Sequence, residues 1–220
     1  MKLEKIKPFY RGNLPHMQPV GSTFFVTFRL QGSLPKEKMF LLKKAFLQSE
    51  KGMRMEQLIR EMDATGQSNS SFFQLYDSLL ESTMEGAHHL KNPAMAKLVQ
   101  KELHRFDGEL YDLICYCIMS NHVHILIDTS IQIPDNFEVV NWESLEFEPL
   151  QTIMKRIKGP TAIYANRLLE SSGRFWQKES YDRYIRDQRE YENVVAYILN
   201  NPVKAGLVKT WEEYPFTYMK

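Results

Sequence analysis

Two cysteines in 220 residues, placed as Cys115-Tyr116-Cys117, cannot build a disulfide framework, and a reducing cytoplasm is the natural setting. No apolar run is long enough to span a bilayer, so no membrane partner is expected. The N-terminal stretch MKLEKIKPFYRGN lacks the apolar core of a secretion signal. Internal repeats and low-complexity tracts are absent. Net charge is almost absent too: Lys plus Arg is 28 and Asp plus Glu 27. With 43% hydrophobic and 25% charged residues, the composition excludes wholesale disorder, collagen and a pure coiled coil. A chain of this length holds one domain with a sizeable core, or one domain with an insertion.

The charge is balanced in sum and uneven in place. Residues 151–210 carry eleven basic and six acidic side chains, whereas residues 128–149 carry six acids and no base. A basic third beside an acidic loop fits a polyanion site with a negative rim. Two solvated faces of a neutral domain fit the charges equally well.

Residues 23–30 are β-branched and aromatic between Gly21 and Gly32, and read as a strand. Helical spacing runs over 36–62, and residues 65–71 are polar and loop-like. A short helix is expected over 72–82. Asn92-Pro93 opens another, which Asp107-Gly108 closes. Residues 110–118 and 122–128 read as strands around a break at Met119-Ser120-Asn121. Residues 129–149 read as a loop. An amphipathic helix spans 150–169, with Gly159-Pro160 as a dividing point. Residues 181–185 suit a short strand, and 190–200 a helix ended by Asn201-Pro202. Residues 36–90 look like a helical insertion or elaboration within a single domain covering 1–220, since no linker separates them.

Side chains two apart on a strand share a face, so His122 and His124 project together while Val123 points away. Two neutral imidazoles make half of a divalent-metal site; a pair of polar residues on a sheet face is the plainer reading. Tyr197 and Asn201 are four apart and share a helix face. Asn201 suits a metal's third protein ligand, or a helix C-cap before Pro202. Tyr197 suits a nucleophile, provided a nearby cation or base favours its phenolate, or a half-buried packing residue. Cys115 and Cys117 precede the histidines, but read as small hydrophobes of an apolar strand rather than as zinc ligands. Arg183 and Arg186, with Lys155, Arg156 and Lys158, are candidate phosphate contacts. Tyr181, Tyr184 and Tyr191 are rival nucleophiles.

Taken together these segments resemble the REP-associated tyrosine transposases, within the single-tyrosine HUH transposase superfamily. The resemblance rests on Met119-Ser120-Asn121-His122-Val123-His124, then Phe175-Trp176-Gln177 and Asp182-Arg183-Tyr184-Ile185-Arg186. It is completed by Tyr197-Ile198-Leu199-Asn200-Asn201-Pro202-Val203-Lys204-Ala205-Gly206. Order and spacing agree over about residues 110–210; the departure is 36–90, longer and more helical than in compact members.

The resemblance implies an α+β fold: a ferredoxin-like antiparallel sheet with helices on one face, the His pair on a central strand and Tyr197 on a helix. It implies Mg2+ or Mn2+ held by His122, His124 and Asn201, with Tyr197 as the catalytic nucleophile. The implied partner is single-stranded DNA, in hairpin form, cleaved and rejoined through a 5′-phosphotyrosine; monomer and homodimer both fit. A non-catalytic single-stranded nucleic-acid binder that keeps the fold is the alternative. A two-histidine phosphoesterase is disfavoured, because that class needs a second His motif.

Overall fold

The computed structural model describes residues 9–11, 15–40, 67–134 and 146–220. The chain divides into two compact units, Met1–Gln31 with His89–Lys220, and Gly32–His88. In chain order the elements are β1 (Phe9–Arg11), β2 (Pro15–Met17), β3 (Thr23–Arg29), α1 (Gln67–Ser82), α2 (Pro93–His104), β4 (Asp112–Ile118), β5 (His122–Asp128), α3 (Leu150–Leu168), β6 (Tyr181–Tyr184), α4 (Gln188–Lys204) and β7 (Thr217–Met219).

The first unit is built on a five-stranded sheet of order β6-β3-β5-β4-β7, antiparallel throughout. Strands β3, β4, β5 and β6 with α2 and α3 give the strand–helix–strand–strand–helix–strand order of a ferredoxin-like unit. The fold class is therefore the α+β arrangement expected. Strand β7 extends the sheet beside β4, and β1 pairs with β2 as a separate hairpin; neither had a signal in the sequence.

Strand alternation sorts the sheet into two faces. Val123, Ile125 and Ile127 of β5 stand opposite Phe28, Val26 and Phe24 of β3, and all six are buried. Helices α2 and α3 cover this apolar face. Tyr116, opposite Ile125, accepts a hydrogen bond from Gln100 of α2 at 2.8 Å. Phe28 meets Trp176 edge-on at 4.8 Å, and the Trp176 indole N–H donates to Thr161 of α3 at 2.7 Å. Helix α4 lies on the other face, where Tyr197 meets Phe25 of β3 edge-on at 5.9 Å. The expectation of helices on one face thus needs correction. That second face carries buried Phe25 and Leu126 beside the histidines, and covering this apolar surface favours the packing of α4.

Both prolines expected to divide or end a helix lie inside one. Helix α3 runs through Pro160 and α4 through Pro202. Ile153 and Ile157 precede Pro160, Thr161 and Ala165 follow it, and all four are buried; anchorage on both sides outweighs one lost backbone hydrogen bond. In α4 the stop comes at Gly206, whose φ of +68° suits glycine. Leu207 N–H donates to Pro202 and Gly206 N–H to Val203, at 2.9 Å each, the pairing of a Schellman motif. Asn201 is consequently an interior helical residue; the C-cap is Ala205.

The second unit contains α1, which begins at Gln67, earlier than the expected residue 72. Residues 36–40 are helical; the rest of the expected pattern up to residue 62 lies outside the described residues. Ala87 N–H donates to Gly32 O at 3.2 Å. Gly86 has φ +92°, and a Cβ there would stand 2.4 Å from Gly32 O, so the turn admits only glycine.

Candidate active site

His122 and His124 leave β5 on the face opposite the apolar core, and both are buried. The hairpin between β4 and β5 closes with Met119 N–H donating to His122 O at 2.9 Å, leaving Ser120 and Asn121 as its turn. From that turn Asn121 Oδ1 reaches His122 Nδ1 at 2.6 Å. His124 is opposite Thr27 of β3, whose hydroxyl lies 2.8 Å from His124 Nδ1. The two Nε2 atoms face each other at 3.0 Å.

This geometry constrains the protons. An Nδ1–H donated to Asn121 leaves His122 Nε2 with its lone pair. The same state of His124, donating to Thr27, would aim two lone pairs at one point. A shared proton or a cation between them removes the repulsion. Fixing Nδ1 through a neighbour is how metal-ligating histidines are oriented.

Helix α4 brings Tyr197 against this pair. Its ring lies 5.3 Å from the His124 ring at 72°, and the phenol oxygen is buried. Asn201 follows one helical turn later, 1% exposed, on the same helix face. Its Oδ1 and Nδ2 are buried with no hydrogen-bond partner among the described residues. Orphaned buried amides are rare, because the desolvation cost is left unrecovered. The Asn201 amide and the paired imidazoles are donors suited to a divalent metal ion. Lys204, one turn beyond Asn201, holds its ammonium 6.0 Å from the centre of the Tyr197 ring.

Other residues are placed less simply. Tyr181 also faces Phe25, edge-on at 6.4 Å, but burial pushes its phenol up to about 12. Cys115 and Cys117 are buried and free, and burial pushes both thiols up to about 12. Cys117 is opposite His124 in the β4–β5 register. Its sulfur accepts from the Thr217 hydroxyl at 3.6 Å, as a packed thiol would.

The five candidate phosphate contacts do not form one patch. Arg183 and Arg186 both pair with Glu190, at 3.0 and 3.1 Å. Arg156 is bidentate to Glu148, at 2.7 and 3.1 Å. Lys158 Nζ donates to Gln177 O at 2.8 Å and to Lys178 O and Ser180 Oγ at 3.2 Å. Burial, with the nearby Arg29 charge, lowers its ammonium to about 8. Lys155 is exposed and, with Lys158, Arg174 and Lys178, lines a cavity of about 850 Å³. In the lining of the same cavity His16 Nδ1 lies 2.5 Å from Asp182 and Gln18 donates to the same carboxylate at 3.0 Å, tying β2 to β6.

Neither Thr27 nor Lys204 stood out as a site residue in the sequence. Thr27 belonged to a strand already recognised, but only pairing with β5 sets it opposite His124. Lys204 stood inside the recognised motif, seven residues after Tyr197, a spacing that returns to the same helix face.

No protein-family model matches the chain. A curated Haemophilus influenzae protein carrying the name REP-associated tyrosine transposase is 25% identical over 109 residues. The match covers 49% of this chain and 58% of that protein, so the chain spans little more than half of its relative's length. A solved structure of a REP-associated tyrosine transposase bound to a REP hairpin aligns with 94% of this chain and 80% of its own, at 15% identity and a TM-score of 0.49. Among the described residues no helix is long and apolar enough to cross a membrane. The family that the sequence motifs resemble is also the one named for the curated Haemophilus influenzae protein: the chain is similar to the REP-associated tyrosine transposases.

Proposed function

We propose that the protein is a metal-dependent enzyme that cleaves and rejoins single-stranded DNA at REP-like hairpins through a 5′-phosphotyrosine. The observation that carries this reading is the convergence of three groups on one sheet face. His122 and His124 present Nε2 atoms 3.0 Å apart, and the Tyr197 ring packs on His124 at 5.3 Å.

His122, His124 and Asn201 would hold the ion. Bound there, it supplies charge neutralisation for the scissile phosphate. The protein's own residues do the rest. Asn121 and Thr27 fix the imidazole orientations through Nδ1. Helix α4 positions the Tyr197 phenol, with the Lys204 ammonium 6.0 Å from the centre of its ring. The Tyr197 oxygen attacks phosphorus in line and loses its proton. The phosphorus–O3′ bond breaks, and the 3′ oxygen leaves as a hydroxyl after taking up a proton. Attack by that or another 3′-hydroxyl on the phosphotyrosine reverses the step and rejoins DNA. The phosphodiester energy is conserved throughout, so no external energy source is required. We read residues 36–90 as a helical insertion or elaboration of a single domain, following β3 in the chain.

Incubating the protein with single-stranded hairpin DNA and Mn2+, followed by denaturing electrophoresis and peptide mapping, tests the reading. A covalent adduct on Tyr197 that chelation prevents is the expected result. Hairpin binding with no adduct on any tyrosine would replace it with the non-catalytic binder.

A further inference from the structure

The two helices on the sheet face away from Tyr197 carry an excess of basic residues. Helix α3 carries Lys155, Arg156, Lys158 and Arg167 and no acid; α2 carries Lys97 and Lys101 and one acid, Glu102. Helix α4, on the His face, is balanced: Arg189 and Lys204 against Glu190 and Glu192.

Between α2 and α3 a groove of about 1070 Å³ is lined by Lys97, Lys101, Arg105 and Arg167, with Tyr164 among them. Among the described residues Glu102 is its only acid, 4% exposed and paired with Arg105 at 3.2 Å. Lys97, Lys101 and Arg167 have no acidic partner among the described residues. Tyr164 is 47% exposed, large for an aromatic ring, and the Arg167 guanidinium lies 5.7 Å from its centre. Three uncompensated cations beside an exposed tyrosine form a charged track with a stacking platform. That combination is suited to single-stranded nucleic acid, whose phosphates meet the cations while an unpaired base lies on the ring.

The geometry points to a second nucleic-acid site: the α2–α3 groove binds a single-stranded segment flanking the one that is cut. This rests on the proposed reading that DNA is the substrate. Because α2 packs on Tyr116 and Tyr197 packs on the opposite face, the groove holds nucleotides other than those at the scissile phosphate. It is an affinity site with no catalytic part.

The test combines Lys97→Glu, Lys101→Glu and Arg167→Glu in one variant, and Tyr164→Ala in another. Binding is measured against salt for a short oligonucleotide limited to the cut site and for a long one with single-stranded flanks. For the long strand the triple variant should bind about 10- to 100-fold more weakly, with a salt slope shallower by about 2, near 0.7 for each lost phosphate contact. The short strand should bind and form adduct as before. Tyr164→Ala should weaken the long strand by about 5- to 100-fold, the range for one stacked base, at unchanged slope.

Unchanged affinity and slope for the long strand in the triple variant would overturn the groove. Equal competition by duplex or heparin, or no effect of Tyr164→Ala, would overturn the single-stranded occupant. Loss of long-strand binding in the triple variant, with no adduct formed even by the wild type, would support the groove and sink only the cleavage reading.

Discussion

The two faces of the central sheet are made by the same strands and do different work. On β5, Val123, Ile125 and Ile127 enter the apolar core under α2 and α3, while His122 and His124 alternate with them toward α4. On β3, Phe24, Val26 and Phe28 serve the core, while Phe25 and Thr27 contact the His124 imidazole. The apolar face holds itself together by area, so many of its residues are interchangeable in volume. The other face buries His122, His124 and Asn201 and works by position. Substitutions on one face should register as lost stability, and on the other as lost chemistry.

The largest effect is expected at Tyr197. Tyr197→Phe removes one oxygen and keeps the ring against Phe25 and His124, so adduct formation should fall to background while thermal unfolding and DNA binding stay near wild type. Tyr181→Phe, on the same face, should still form adduct. Adduct retained by Tyr197→Phe, read on a denaturing gel, would break the assignment.

Neighbouring residues of β5 set the faces directly against each other. His124→Ala should abolish Mn2+-dependent cleavage with most DNA affinity kept, and His122→Ala likewise. Ile125→Ala should cost about 2–5 kcal/mol of stability, with cleavage per folded molecule preserved. Denaturant titration beside single-turnover cleavage measures both; a His124→Ala enzyme with full metal-dependent activity would remove the distinction.

Thr27→Val keeps shape and deletes the hydroxyl beside His124 Nδ1. Loss of such an outer partner lowers metal affinity by about 10- to 100-fold. Mn2+ titration of cleavage should show that shift with maximal rate recovered at high metal. A fall in rate that metal does not restore would assign Thr27 another part.

The smallest effect is in pH. Folding raises the Cys115 and Cys117 thiols from 9 to about 12, so the unfolded chain releases these protons first. Their contribution to stability is complete below pH 9 and is lost as pH rises from there toward 12. Iodoacetamide at mildly alkaline pH should leave both cysteines unmodified in the native protein and alkylate them in urea. Rapid native alkylation, seen by mass spectrometry, would mean that this part of the polar face is open.

Much of the site was legible because its spacings are local. His122 and His124 share a face by strand period, and Tyr197 and Asn201 by helix period, whatever surrounds them. The ferredoxin-like order followed from a resemblance carried by those same motifs. Local rules misled at Pro160 and Pro202, where a residue that ends isolated helices is carried by packing on both sides. The ion pairs of the candidate phosphate contacts were likewise not legible from local order: Arg156 meets Glu148, and Arg183 and Arg186 meet Glu190.

What the amino-acid order determined by itself was therefore periodic: which side chains share a face, where most of the strands and helices lie, and which residues are candidates for ligand and nucleophile. Tertiary structure decided what no period encodes. The pairing of β3 with β5 placed Thr27 on His124, and the packing of α4 placed Tyr197 beside it. The docking of α2 beside α3 gathered Lys97, Lys101 and Arg167, from segments dozens of residues apart, into one groove. Each is a contact between distant parts of the chain, and its geometry exists only once the sheet has set both partners in place.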